Sequence, residues 1–102
     1  MANIRILAAA CLGGALINPA LAADVGNGEA LAKRWCSTCH VVAGTQIAPT
    51  GEAPPFRTIA EAQGLDGAKL AMFLLMPHPK MPDMGLSRDA AADLAAYISS
   101  LK

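Results

Sequence analysis

Apolar residues follow two different patterns along this chain. From Ile6 to Ile17 they are nearly continuous: Ile6-Leu7-Ala8-Ala9-Ala10-Cys11-Leu12, then Ala15-Leu16-Ile17. From Asp24 onward they come in short bursts mixed with polar residues and broken by turn formers, the pattern of amphipathic helices joined by loops. Asp24 to about Thr38 reads as a first helix. Asp24 or Asn27 can cap its start, and Gly28, Ala30, Leu31 and Ala32 give it a small-residue face. Val41 to Phe56 reads as a loop punctuated by Gly44, Pro49, Gly51, Pro54 and Pro55. Arg57 to Gln63 forms a short helix ended by Gly64. Asp66 caps a third helix through about Met76, where Pro77 stops it. Pro77 to Gly85 holds three prolines in nine residues and predicts an ordered, non-helical strap. Ser87 then caps a last helix, with Asp89 in its first turn favoured by the helix dipole. Ala91, Leu94, Ala95, Ile98 and Leu101 recur on one face of that helix, and Tyr97 lies on an adjoining stripe. No β-branched run of strand length occurs, so the fold class expected is all-α.

The continuous apolar stretch has a different meaning. Residues 1–22 read as a cleaved secretory signal peptide: Arg5 in a short n-region, the apolar run, the helix breaker Pro19, and Ala20-Leu21-Ala22 as a small-x-small cleavage signal. Gly13, Gly14 and Asn18 interrupt the run too often for a good spanning helix. A lipoprotein signal through Cys11 is weaker, because only ten residues precede it and Ala8 stands where a leucine is expected.

Removing that segment changes the arithmetic of the whole. The chain has 102 residues, 54% of them hydrophobic, which is high for a small soluble domain. The leader holds 16 apolar residues in 22, and close to half of the remaining 80 are apolar, an ordinary value. The mature segment, 23–102, carries 7 basic and 8 acidic residues. So balanced a chain excludes a basic nucleic-acid binder, and its apolar content excludes a disordered tail. About 80 residues is marginal for a self-sufficient core, so some staple is expected. Only Cys36 and Cys39 remain after cleavage, and a disulfide closing so short a loop would stabilise little.

Those two cysteines belong to Cys36-Ser37-Thr38-Cys39-His40, a C-x-x-C-H motif that reads as covalent haem attachment. On a helical turn, positions three and four apart share one side. Cys36 and Cys39 can then each form a thioether with one vinyl group, while His40 turns its imidazole toward the iron. A zinc site would need four ligands, and adjacent Cys39 and His40 suit one tetrahedral ion badly. A thioredoxin-like dithiol would need a βαβ context, and no strand is predicted. For the sixth iron position, methionine is the soft thioether that favours ferrous iron. Met72 and Met76 fall in or at the end of the third helix, where core packing is the simpler role. Met81 and Met84 lie in the proline-held strap, and Met81, followed by Pro82, is the favoured ligand. Met84, Met76 and His78 are the rivals.

With these motifs in this order, residues 24–102 resemble a class I c-type cytochrome of the small bacterial kind. The resemblance rests on Cys36-Ser37-Thr38-Cys39-His40, on Lys80-Met81-Pro82, and on the Leu86-Ser87…Asp93-Leu94…Tyr97-Ile98 pattern of the last helix. It implies a cytochrome c fold: about four short helices and loops wrapped around one covalent haem c. It implies that the first and last helices cross near-perpendicularly, with Gly28 at the crossing and Tyr97 packed against it. It also implies that a proline carbonyl accepts a hydrogen bond from His40 Nδ1, with Pro54 of Pro54-Pro55-Phe56 the first candidate and Pro49 the runner-up. One position departs from the family, which usually carries an aromatic residue where Ala32 stands. Phe56, Ile59, Leu70, Phe73 and Leu74 are the expected pocket wall, and Cys36, Cys39, His40 and Met81 are expected to face one cavity.

The function expected is single-electron transfer in the periplasm, by a monomer that is not an enzyme and inserts into no membrane once its signal is cleaved. With His40 and Met81 as metal ligands, no iron position is left for substrate. Redox proteins such as a dehydrogenase, an oxidase or a cytochrome complex are the expected partners. A dedicated subunit of such a complex, or a ligand-binding haem sensor, is the alternative.

Overall fold

The computed structural model of the chain describes residues 13–14, 22–46, 53–62, 64–76 and 80–102. Most of the proposed signal peptide, together with Pro49 and His78, lies outside the described residues. Four helices follow in order: α1 (Val25–Trp35), α2 (Phe56–Ala60), α3 (Gly67–Leu75) and α4 (Arg88–Ser99). No strand occurs among the described residues.

Local chemistry accounts for most helix ends. The side chains of Asp24, Asp66 and Ser87 accept from the backbone N–H of Asn27, Lys69 and Ala90, each satisfying an amide that the first turn leaves open. Gly64 adopts φ +73° after α2, a conformation that costs a residue without Cβ little. Two boundaries differ from expectation. The first helix ends at Trp35 and not near Thr38, because Cys36 to His40 tighten into a separate turn in which the N–H groups of Cys39 and His40 both point to Cys36 O, at 3.2 and 2.9 Å. The second helix runs Phe56–Ala60, not Arg57–Gln63. The Phe56 N–H bonds the distant Val41 carbonyl at 2.9 Å, which draws Phe56 into the first turn.

α4 is the centre of the packing, and α1, α3 and α2 all rest on it. Ala91, Leu94, Ala95 and Ile98 are buried as the periodicity predicts, Leu101 is half-buried, and Tyr97 is buried with them. α1 meets α4 at Gly28. A Cβ there would lie 2.0 Å from the Asp93 carbonyl oxygen and 2.8 Å from Tyr97 Cβ, so the crossing has room for hydrogen only. Ala32, one turn on, is fully buried, while Trp35 is 43% exposed. A small residue thus closes this crossing, and the neighbouring tryptophan takes no part in the core. Asp93 ties the same two helices by polar contacts: Oδ1 accepts from Asp24 N at 2.7 Å and Oδ2 from Asn27 Nδ2 at 2.8 Å.

Candidate functional site

The turn after α1 carries the C-x-x-C-H motif. Ser37 Oγ donates to Lys33 O at 2.6 Å, holding the turn against the end of the helix. Cys36 points into the core, buried among Ala32, Val42, Phe56 and α4 side chains, whereas Cys39 is exposed. No disulfide joins the two. In the chain before haem attachment, burial pushes the Cys36 thiol up to about 11, with the nearby Cys39 adding to the shift.

His40 is half-buried, and its ring is held on two sides. Nδ1 lies 2.6 Å from Pro54 O. A carbonyl oxygen can only accept, so the hydrogen sits on Nδ1 and the Nε2 lone pair is left for a metal. The bond also orients the ring. The Phe56 ring packs against the imidazole, centroids 5.1 Å apart and tilted by 50°. Of the two prolines considered, Pro54 carries the contact, and Pro49 lies outside the described residues.

Met81 stands in the strap that leads to α4. Lys80, just before it, takes φ +69°, uncommon for a residue with a side chain, and turns the chain at this point. Met81 shares a cavity with Leu74, Met76, Pro82, Asp83, Met84 and Leu86. Met76, Met81 and Met84, the competing thioethers, are therefore neighbours. Cys36, Cys39 and His40 do not line this cavity, in contrast to the expectation of one space bordered by all four. The strap residues border the same space as Leu74 of α3 and Leu86, which precedes the cap of α4.

The expected wall residues divide by depth. Phe56 and Leu70 are buried, Ile59 and Leu74 are half-buried, and Phe73 is 50% exposed. Met72, Leu75 and Met76 are also exposed, so the end of α3 presents large apolar side chains in a group. An apolar prosthetic group suits such a surface. A histidine with free Nε2, two thiols at C-x-x-C spacing and a cluster of thioethers suit haem iron. Zinc fits less well: among the described residues no three His, Cys, Asp or Glu side chains are grouped to hold a metal ion.

Sequence reasoning missed Gln46. Its Oε1 accepts from Val42 N at 2.7 Å, and its Nε2 donates to Ser37 O and His40 O at 2.9 and 2.8 Å. It also missed the hydrogen bond from the Tyr97 hydroxyl to Val42 O, at 2.5 Å. A single polar residue in a loop gives no periodic signal, so neither contact could be read from spacing.

All-helical architecture around a C-x-x-C-H turn defines a class I c-type cytochrome, and the cytochrome c family profile matches residues 25–102. The chain belongs to that family; it is an electron carrier, and its cofactor is a covalent haem c with iron. It is 54% identical over 83 residues to "Cytochrome c-552" of Bradyrhizobium diazoefficiens, spanning 81% of this chain and 80% of that protein. No solved structure gives a significant match.

Proposed function

We propose that this chain is a periplasmic single-electron carrier whose haem iron is held by His40 and Met81, after export directed by residues 1–22 and their removal. The observation that carries the ligand reading is the Nδ1 contact of His40 with Pro54 O, which leaves Nε2 as the free donor. Covalent attachment is through Cys36 and Cys39. When bound, the haem supplies an iron that alternates between Fe(II) and Fe(III).

The chain's own residues do the rest. Pro54 and Phe56 fix the His40 ring, so that ligand moves little between redox states. Lys80 and Pro82 restrict the backbone on either side of Met81. Phe56, Leu70 and Leu74 exclude water. His40 and Met81 would together hold the iron, and a metal so held would exchange electrons and leave no position for substrate. Partners are other redox proteins, met transiently by a monomer. Among the described residues no helix is long and apolar enough to cross a membrane.

Visible spectroscopy of the purified holoprotein tests the ligand set. The oxidised form should show the weak far-red band of methionine bound to ferric iron, and Met81→Ala should abolish it. Survival of the band in that variant would transfer the role to Met84 or Met76. Tight carbon monoxide binding by the reduced native protein would show an open iron position and favour a ligand-binding sensor. N-terminal sequencing of exported protein should begin at Ala23.

A further inference from the structure

We propose that Gln46 is a positioning residue for the proximal histidine, holding the backbone of His40 while Pro54 holds its ring. The inference rests on the reading of His40 as an axial ligand. The Gln46 carboxamide uses its full donor set. Both Nε2 hydrogens go to carbonyls of the attachment turn, Ser37 O at 2.9 Å and His40 O at 2.8 Å, and Oε1 takes the Val42 N–H at 2.7 Å. The partners fix the orientation of the amide, because two carbonyls can only face nitrogen and an N–H can only face oxygen. Val42 is itself anchored: its side chain is 1% exposed, and its carbonyl accepts from the Tyr97 hydroxyl of α4.

His40 is therefore connected to the core by two routes. One runs from its carbonyl through Gln46 to Val42 and Tyr97. The other runs from its ring to Pro54 O and Phe56, and Phe56 N in turn bonds Val41 O. Without the first route the His40 backbone can swing, and the Nδ1–H···O bond that orients the ring opens more often. No other side chain of this length can replace the amide. Glutamate keeps the acceptor for Val42 N but offers the two carbonyls no hydrogen, and leucine offers neither.

Proton NMR of the oxidised holoprotein tests the assignment, with Gln46→Leu and the length-matched Gln46→Glu beside the native chain. In the native protein the His40 ring protons should be strongly shifted by the iron, and the Nδ1 proton should exchange slowly with solvent. Both variants should exchange that proton at least about tenfold faster, since the bonds they lose are each worth a sizeable part of that factor. Their His40 ring shifts should move as well. A fall in thermal stability with unchanged exchange and unchanged ring shifts would overturn the inference and leave Gln46 a loop staple. Unshifted His40 ring protons in the native protein would instead overturn the ligand reading on which the inference stands.

Discussion

Tyr97 shows how much one side chain can carry. Its Cβ packs where α1 crosses α4, and its hydroxyl donates to Val42 O across 55 positions of sequence. Burial raises its pKa above the usual tyrosine value; the negative charge of Glu29 adds to the shift and Lys33 opposes it. At high pH the unfolded chain releases the phenolic proton before the folded chain does. The contribution is thus complete below about pH 10 and is lost as pH rises through the folded-state value. Tyr97→Phe removes the hydroxyl and leaves the Val42 carbonyl without it, which should cost about 1–3 kcal/mol near neutrality. Thermal midpoints measured across the alkaline range should also fall less steeply in the variant than in the native protein. At this scale the sequence was partly legible. The motif cysteines and His40 declare themselves by spacing, and Pro54 came from resemblance. Gln46 and the Val42 carbonyl were invisible, because their roles exist only once the loop has closed.

Pairs of elements are governed by what fits between them. The Gly28 crossing leaves 2.0 Å to a backbone oxygen, and backbone cannot step aside as a flexible side chain can. Gly28→Ala should therefore separate α1 from α4 at a cost of about 3 kcal/mol, measured by denaturant unfolding of the holoprotein. Asp93→Ala removes both polar ties to the start of α1 and should cost less, about 1–2 kcal/mol, since its partners are exposed and water can replace it. Helix starts were legible because capping is local: Asp24, Asp66 and Ser87 act within three residues. The end of α1 and the start of α2 were not. A competing turn decides the first, and a hydrogen bond from Phe56 to Val41 decides the second.

For the whole molecule, the core is thin. Among the described residues, the largest side chains that are fully buried are Leu94, Ile98 and Val42, while Met72, Phe73, Leu75 and Met76 are exposed. So small a core argues that haem is part of the fold and not only of the function. A Cys36→Ser, Cys39→Ser double variant, which cannot form thioethers, should lose most of its far-ultraviolet helical signal when haem is extracted, whereas the native protein keeps both. Charge is nearly balanced over residues 23–102, with 7 basic and 8 acidic residues. Long-range steering should therefore be weak. Electron-transfer rates with a partner should then change by no more than about threefold between roughly 20 and 200 mM salt. A steep dependence would point to a charged docking surface.

The amino-acid sequence by itself determined the all-helical class, the helix caps, the attachment motif and the candidate ligands. All of these depend on residue type at short spacing, which backbone geometry converts directly into structure. Only the tertiary structure decided that Pro54 O meets His40 Nδ1, that Trp35 stays out of the core beside the α1–α4 crossing, and that Gln46 ties the attachment turn to α4 through Val42. These contacts join residues that no local rule relates. They form because the chain packs around α4, and that packing sets their distances.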